Sequence, residues 1–411
     1  MAERHDSCVV AHYPYLDHMQ KNSAHTAPSC DGSFVVAGHE IHLLHEPTHR
    51  LDAVKSLIDG AQSSIKMFNY MFRNDQTGKE VLTALVSAAA RGVKVQLIID
   101  SFGSAETSHD FFQPLVDAGG KYHCFGSRKG LGYLVRNHQK ILIADQERVL
   151  VGGFNISDVS YDRAGEASWE EFGVVMSGPQ VKPLVDYYDA LSELTQDGAI
   201  PFLKMRRLIR NWKSGDGPVR WVLGGPTNRI SPWALSLKRD LEVAKRADIV
   251  EAYFSPSQAV LRRITRICKR GGKVRLILAG KTDNGATIGA ARFLYTYLMK
   301  RGVEINEFQT KPLHMKLLAI DDACYIGSAN MDVRSLFINM EIMLRIEDAA
   351  FAKHIRAIMD EMTQASEQQT LVAHRKRATF VRRIQWALNY FIVNTVDYTI
   401  GRRIKFGLLK K

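Results

Sequence analysis

The chain repeats one unit of about 150 residues, and this duplication limits its possible folds more than any other feature. "AARGVKVQLIID" (89–100) and "CKRGGKVRLILAG" (268–280) each contain the end of a helix, a glycine and a buried strand. In both copies an amphipathic helix precedes this segment, and a further helix and strand follow it. The offset between the copies is 176 residues from His138 to His314. The sequence therefore encodes two similar α/β units.

Such a duplicated unit predicts two pseudo-symmetric lobes, each a mixed sheet flanked by helices, packed around one shared active site. The repeat predicts lobes at residues 38–195 and 220–365. A linker at 196–219 joins them and holds turn formers and a basic patch. Residues 1–37 form a polar, histidine-rich N-terminal extension, and residues 366–411 form a C-terminal tail without a counterpart in the first half.

Composition narrows the class of partner. The 411 residues carry a net charge of +12, which predicts nucleic acid, an anionic membrane surface or a phosphate-bearing substrate as the partner. Composition does not choose among these three. A content of 45% hydrophobic and 24% charged residues excludes a disordered chain.

The cysteines and the termini indicate the compartment. Five scattered cysteines without a C-x-x-C pair predict structural thiols in a reducing compartment. They are Cys8, Cys30, Cys124, Cys268 and Cys324. The N-terminus lacks a basic segment followed by an apolar one, and no apolar run reaches the ~20 residues of a membrane span. We therefore expect a soluble or peripheral protein that faces the cytoplasm.

Both units carry the pattern H-x-K-x-x-x-x-D, followed by a Gly/Ser turn and an asparagine. Its members are His138, Lys140, Asp145 and Asn155 in the first unit, and His314, Lys316, Asp321 and Asn330 in the second. Residues two apart in a strand share a face, so each histidine projects beside its lysine. The aspartate lies seven positions after the histidine and falls on the opposite face. Strand parity therefore predicts a structural role for both aspartates.

A histidine and a lysine on one face, supplied twice, suit a phosphoryl group. An ammonium has no free lone pair and repels a divalent ion, so we predict no metal site and no cofactor. Two lysines and two asparagine amides can surround phosphate oxygens with hydrogen-bond donors. One imidazole can attack phosphorus while the other protonates the leaving oxygen. This pattern predicts metal-free phosphodiester chemistry through a phosphohistidine, and it does not reveal which histidine is the nucleophile.

Each histidine needs an acceptor to orient its other ring nitrogen. An acidic residue enters a strand after each asparagine motif, in "ASWEEFGVV" and "FINMEIMLRI". We predict that Glu171 serves His138 and that Glu341 serves His314. Glu170 remains an alternative to Glu171, since adjacent strand residues cannot both face the site.

These motifs resemble those of the phospholipase D superfamily. Within it, "VGGFNISD", "GSANMDVRSLFINMEI" and "MFNYMFRNDQTGKEV" are similar to segments of bacterial cardiolipin synthases. The resemblance covers about residues 38–365 and is greatest to short members that lack N-terminal membrane spans. Where that subfamily usually reads W-R-D, this chain has Trp169, Glu170 and Glu171.

The resemblance implies phosphatidyl transfer through a phosphatidyl-histidine to the hydroxyl of a second lipid. It assigns both H-x-K-x-x-x-x-D motifs to catalysis, Asp145 and Asp321 included. It assigns phosphate binding to the lysines and asparagines, and Ser157 and Asp332 occupy equivalent positions two residues after each asparagine. Phosphatidylglycerol is the expected substrate among phospholipids, although donor and acceptor stay open. A hydrolase of the same superfamily, a phospholipase or nuclease, is the alternative.

The tail places aromatic and aliphatic residues at helical spacing between basic residues. The apolar set is Phe380, Ile384, Leu388, Phe391 and Ile392, and the basic set is Arg375, Lys376, Arg377, Arg382, Arg383, Arg402, Arg403 and Lys405. This pattern is typical of an interfacial membrane anchor, to which we expect Trp386 to contribute. It is also compatible with a helix that docks on the protein's own core. We predict an anionic membrane surface at the cytoplasmic face as the partner. No nucleic acid is expected, because aromatic and basic residues do not alternate as in a base-stacking surface.

Overall fold

The computed structural model describes residues 32–126, 135–195, 202–227 and 230–396. Cys8, Cys30 and the basic tail residues beyond 396 lie outside these ranges, as does most of the N-terminal extension. Three cysteines within them, Cys124, Cys268 and Cys324, are free thiols. Across the described ranges, none of the helices has the length and apolar content needed to cross a bilayer.

The first lobe is an eight-stranded mixed sheet in the order β1-β2-β8-β7-β6-β3-β4-β5. Its strands are β1 (Ser33–Val36), β2 (His39–Leu44), β3 (Ser64–Asn69), β4 (Lys94–Asp100), β5 (Lys121–Phe125), β6 (Lys140–Ala144), β7 (Arg148–Gly152) and β8 (Gly173–Ser177). Its helices are α1 (Pro47–Asp59), α2 (Gln76–Ala90), α3 (Gln113–Asp117) and α4 (Val181–Thr195). Strands β3, β4 and β5 run parallel, and the remaining pairs are antiparallel.

The second lobe is also an eight-stranded mixed sheet, and two short strands pair beside it. Its strands are β9 (Val219–Gly224), β10 (Arg246–Glu251), β11 (Phe254–Ser255), β12 (Lys273–Ala279), β13 (Glu304–Phe308), β14 (Lys316–Ile320), β15 (Ala323–Gly327), β16 (Met331–Asp332), β17 (Glu341–Glu347) and β18 (Ser366–Gln368). The linker before this lobe forms helix α5 (Phe202–Asn211). The helices that follow are α6 (Pro232–Val243), α7 (Gln258–Lys269), α8 (Gly285–Met299), α9 (Val333–Phe337), α10 (Ala349–Gln364), α11 (Leu371–Arg377) and α12 (Phe380–Tyr390). The large sheet has the order β18-β13-β12-β10-β14-β15-β17-β9.

Six consecutive strands have the same order in both large sheets. Strands β8-β7-β6-β3-β4-β5 of the first correspond to β17-β15-β14-β10-β12-β13 of the second. The parallel pairs start in the same register, Ser64 opposite Lys94 and Arg246 opposite Lys273. The predicted α/β fold with two similar mixed sheets is confirmed.

The two sheets share one apolar core between them. Fully buried residues of the first sheet, such as Ile141 and Val151, belong to the same cluster as Leu317 and Ile326 of the second. A separate apolar cluster covers the outer side of each sheet. Strands β6 and β14, which follow the two histidines, therefore face each other across this core.

The tail helix α12 packs against α8 of the second lobe. Trp386 is buried and its ring stacks on His374 at 5.2 Å, so our expectation that Trp386 reaches a membrane is wrong. The ring points inward because it lies on the docked side of the helix. The other side leaves a row of large apolar residues exposed: Phe380, Val381, Ile384, Leu388, Phe391 and Ile392. The helix thus docks on its own lobe and still presents an apolar surface.

Candidate active site

Short backbone bridges between the lobes position both histidines. The His138 N–H donates to the Met340 carbonyl at 2.9 Å, just before β17 of the other lobe. The His314 N–H donates to the Glu170 carbonyl at 2.9 Å, just before β8 of the first lobe. Each histidine segment is therefore paired with the strand entrance of the opposite lobe.

These bridges pair each histidine with a glutamate of the other lobe. His138 Nδ1 lies 3.2 Å from Glu341 Oε2, and His314 Nδ1 lies 2.8 Å from Glu171 Oε1. Our prediction had the right two glutamates but assigned each to the histidine of its own lobe, and that assignment is wrong. The reason is the reciprocal bridging, which brings β17 to His138 and β8 to His314.

The side chain of Glu170 points away from the histidines. Its Oε1 lies 2.6 Å from His45 Nε2, and its backbone takes part in the bridge to the second lobe. The neighbouring Glu171 is fully buried and faces His314, as the alternation of a pleated strand requires. The buried Arg50 guanidinium donates to the Glu171 carbonyl at 3.0 Å and fixes this segment. Sequence reasoning did not identify Arg50.

Both lysines are buried beside the histidines. Lys140 Nζ donates to the His138 carbonyl at 2.6 Å, and Lys316 Nζ donates to the His314 carbonyl. Burial lowers the pKa of Lys140 to about 7, and it lowers the pKa of Lys316 as well. A bound phosphate dianion or diester would restore the charged form of both, because a nearby negative charge favours an ammonium.

Each of the two asparagines lies three residues after the end of a strand, β7 or β15, and is almost fully buried. Within the part of the chain that the structure describes, the amide oxygens of Asn155 and Asn330 have no hydrogen-bond partner, and neither has the Ser157 hydroxyl. Asp332 differs, because its carboxylate accepts the Ser335 N–H at 2.7 Å and caps α9. A carboxylate offers no donor to phosphate, so this geometry contradicts a phosphate-binding role for Asp332.

Asp145 and Asp321 lie at the far ends of β6 and β14, away from the histidines. The Asp145 carboxylate accepts three backbone N–H groups, those of residues 62–64. The Asp321 carboxylate accepts the N–H groups of Lys245 and Arg246 in the same way. Partial burial opposes ionisation, yet these hydrogen bonds lower the pKa of Asp145 to about 2. Both aspartates thus hold the strand ends, as strand parity predicts. Neither carboxylate contacts the histidines or lysines of the motifs, so the geometry does not support the catalytic role that the resemblance assigns to them.

Aromatic rings that the sequence reasoning missed line the histidines. The Trp169 ring stacks on His314 at 4.4 Å, and Tyr70 meets His138 edge-on at 4.7 Å. Tyr253 lies 6.4 Å from His314, and its hydroxyl donates to Asp283 at 2.5 Å. Strand parity could have found Trp169, since it lies two residues before Glu171 and thus on the same face.

The electrostatics favour neutral imidazoles when no ligand is bound. Burial and the adjacent Lys140 lower the pKa of His138, although Glu341 opposes the shift. Burial and both lysines lower the pKa of His314 well below its ordinary value. In each ring Nδ1 faces a glutamate, so Nε2 remains for chemistry. Among the described residues, no three His, Cys, Asp or Glu side chains are grouped as metal ligands.

Comparison with known proteins agrees with this geometry. The family model described as "Cardiolipin synthase, PLD-like domain" matches residues 54–188 and 237–363. Cardiolipin synthase B of Salmonella typhimurium is 31% identical over 327 residues, covering 78% of this chain and 79% of that protein. Cardiolipin synthase B of Shigella flexneri is 29% identical over 341 residues, covering 81% and 82%.

A solved structure has a similar fold at low sequence identity. The phosphatidylserine synthase of Haemophilus influenzae superposes with a TM-score of 0.70 at 14% identity, covering 90% of this chain and 96% of that one. Its fold is shared, and the two-part family match accounts for both lobes. The chain therefore belongs to the cardiolipin synthase family of phospholipase D-like enzymes.

Proposed function

We propose that this phosphatidyltransferase moves a phosphatidyl group from one phospholipid to the hydroxyl of a second, with phosphatidylglycerol as both donor and acceptor. The observation that carries the proposal is the reciprocal pair of His–Glu contacts between the lobes, His138–Glu341 and His314–Glu171. It supplies two oriented imidazoles, and a buried lysine lies beside each of them. Two phosphatidylglycerol molecules would then give cardiolipin and glycerol.

The reaction proceeds in two displacements through a phosphohistidine. In the first, Nε2 of one neutral histidine attacks phosphorus, the bond from phosphorus to the leaving glycerol oxygen breaks, and the other, protonated histidine gives its proton to that oxygen. In the second, this histidine takes the proton of the acceptor hydroxyl, whose oxygen attacks phosphorus and breaks the P–N bond. The bound phosphodiester is negative and so favours protonation of the acid histidine. Lys140 and Lys316 stabilise the charge on the phosphoryl oxygens.

We propose that no metal takes part, because ammonium groups occupy the positions where a metal would neutralise phosphate. Activity of the purified protein should survive saturating EDTA. Loss of activity that one added divalent ion restores would contradict this part of the mechanism.

The direct test is product analysis by mass spectrometry. Purified full chain is incubated with phosphatidylglycerol vesicles, with His138→Ala protein as the inactive control. Cardiolipin and glycerol in equal amounts support phosphatidyl transfer. Phosphatidic acid without cardiolipin would identify a hydrolase, in which water takes the place of the acceptor lipid.

We also propose that the exposed side of α12 binds the cytoplasmic face of the membrane peripherally. Phe380 and Val381 are 78% and 73% exposed, and basic residues of α11 and α12 flank them. Apolar side chains next to basic ones suit the boundary between acyl chains and anionic headgroups. Each cation near such a surface contributes about 1 kcal/mol to membrane binding, and physiological salt limits this attraction to a range of roughly 8 Å.

A further inference from the structure

The basic patch of the predicted linker has no role in the reaction described above. It forms α5, whose arginines line a cavity of about 190 Å³ that Leu203 and Thr227 complete. These arginines are Arg206, Arg207 and Arg210. One water needs only about 10–15 Å³ of such a cavity, so a phosphate group has ample room.

The cavity concentrates positive charge. Within the described ranges, no carboxylate forms an ion pair with Arg207 or Arg210, and both are exposed. Burial and the neighbouring Arg210 lower the pKa of Arg206, as expected where cations crowd together. Planar guanidinium groups match the oxygens of a phosphate in pairs. The cavity therefore has the chemistry of an anion site.

The core holds this basic surface in a fixed position. Met205 and Ile209 on the opposite side of α5 are buried in the apolar cluster between the sheets. The Ile209 side chain packs directly on the Gly225 backbone, where an added Cβ would lie 2.3 Å from Ile209 Cδ1. The arginines thus project from a rigid element rather than from a free loop.

The chain connects one wall of the cavity to a strand that borders the candidate active site. Gly224, at the end of β9, is the cross-strand partner of Glu341, which orients His138. Thr227 follows three residues later, and consecutive Cα atoms are 3.8 Å apart, so its Cα lies within about 11 Å of the Gly224 Cα. Thr227 thus connects the cavity along the chain to the strand that pairs with Glu341.

We propose that the α5 cavity binds the phosphate of the acceptor phospholipid, a second anion site beside the one between the histidines. This inference rests on the proposed phosphatidyl transfer, which requires two lipids at once. The exposed Leu203 at the rim offers an apolar contact that a lipid can use and inorganic phosphate cannot. Inorganic phosphate carries the same phosphate group and is the alternative ligand for this cavity.

The test counts bound lipids in a protein that cannot turn over. His138→Ala protein is titrated calorimetrically with dihexanoyl phosphatidylglycerol, and we expect two binding events. Adding Arg207→Ala and Arg210→Ala should remove one event or weaken it at least tenfold, about what one charged hydrogen bond contributes. The matched control, Arg262→Ala with Lys269→Ala on α7, removes the same charge from an exposed surface elsewhere and should change neither event.

Each outcome decides a different point. If both events survive Arg207→Ala/Arg210→Ala, or if the control weakens them equally, the site is refuted. If inorganic phosphate competes for the second event as tightly as the short lipid binds, the lipid assignment is wrong. With both histidines intact, Arg207→Ala/Arg210→Ala should raise the KM for phosphatidylglycerol and leave kcat near normal. If the protein hydrolyses phosphatidylglycerol without forming cardiolipin and still binds two lipids, the proposed function is refuted and the second phosphate site is retained.

Discussion

The two lobes present the same histidine, lysine and asparagine, but they surround their glutamates differently. In the second lobe the Ser328 hydroxyl donates to Glu341 Oε2 at 2.5 Å, and the Ser328 carbonyl lies 3.0 Å from His138 Nδ1. The first lobe has Gly153 at this position of the motif. A Cβ there would lie 2.6 Å from Glu171 Oε2, an atom without a hydrogen-bond partner in the described structure.

This difference separates the two carboxyl groups electrostatically. Burial alone would raise the pKa of Glu341, but His138, Lys140 and the Ser328 hydroxyl together lower it. Burial raises the pKa of Glu171 to about 7, although nearby cations oppose the shift. Glu341 beside His138 is therefore a carboxylate at neutral pH, while Glu171 beside His314 titrates near neutrality.

The two lysines also have different neighbours in their sheets. Asn69 is the cross-strand partner of Lys140, whereas Glu251 is the cross-strand partner of Lys316. Glu251 is fully buried, and burial raises its pKa well above the ordinary value despite the nearby lysine. Sequence duplication thus produced two similar half-sites with unequal charge. We expect His138, which faces the fixed carboxylate, to be the phosphorylated residue.

The largest effect tests whether one site uses both lobes. His138→Ala and His314→Ala should each lower turnover by at least about 10⁴-fold, because nucleophile and acid act as a unit. His109→Ala, an exposed histidine of the first lobe, is the control and should leave turnover unchanged. Near-normal activity in either single variant would show that the half-sites work separately. Trapping the intermediate and mapping the labelled peptide identifies the phosphorylated histidine.

The second prediction compares the glutamates in catalysis. Glu341→Gln should lower kcat about 10²–10⁴-fold, because it removes the charge that stabilises the His138 imidazolium. Glu171→Gln should cost less at pH 6, where Glu171 is already largely protonated. The measurement is kcat of both variants against wild type at pH 6 and pH 8. Equal losses at pH 6 would mean that the two half-sites are electrostatically equivalent.

The third prediction compares their effects on stability. The pKa of Glu171 is raised in the folded state, so folding becomes less favourable as pH rises from the ordinary glutamate value to about 7. Glu171→Gln should therefore increase the free energy of unfolding at pH 8 by up to roughly 3 kcal/mol, which also raises the melting temperature. At pH 5 the substitution should change both quantities little.

Glu341 should behave in the opposite way. Its pKa is lowered on folding, so it contributes stability above the ordinary glutamate pKa and loses it as pH falls through the folded pKa. Glu341→Gln should lower the melting temperature at pH 8. Thermal unfolding at both pH values checks the pair, and a shift of the same sign in both variants would disprove the contrast.

A smaller effect is expected when the second lobe is made to resemble the first. Ser328→Gly removes the hydroxyl bonded to Glu341, and we expect kcat to fall about tenfold, the contribution of one hydrogen bond to a charged group. Ser335→Gly, which removes another buried hydroxyl nearby, is the control for a general loss of packing. An unchanged kcat in Ser328→Gly would assign the difference between the lobes to some other residue.

The smallest effect concerns the tail, which only the second lobe carries. Phe380→Ser with Leu388→Ser should weaken binding to anionic vesicles without changing activity on detergent-dispersed short-chain lipid, since both side chains are exposed on the surface of α12. Sedimentation with vesicles measures the first and product formation the second. Trp386→Ala is the counterpart: it should lower the melting temperature, because that ring packs inside. Undiminished vesicle binding by the double variant would exclude α12 as the membrane contact.

Sequence patterns predicted the features that depend only on the order of residues within one lobe. The repeat gave two sheets, and strand parity separated His138 and Lys140 from Asp145. Both orienting glutamates were identified, but no spacing within a lobe reveals how the lobes dock, so their partners were exchanged. Trp386 was misjudged for a related reason, since helical periodicity shows two sides of α12 without showing which side meets α8.

The reciprocal bridges make the site cooperative by construction. One bridge brings Glu341 to His138 and the other brings Glu171 to His314, and both cross the same interface. Any separation of the lobes would therefore misorient nucleophile and acid in a single event, and a lone lobe would hold a histidine without its acceptor. A protein whose lobes have separated would therefore not start the reaction in contact with water, because it would have lost the oriented nucleophile and the proton donor together.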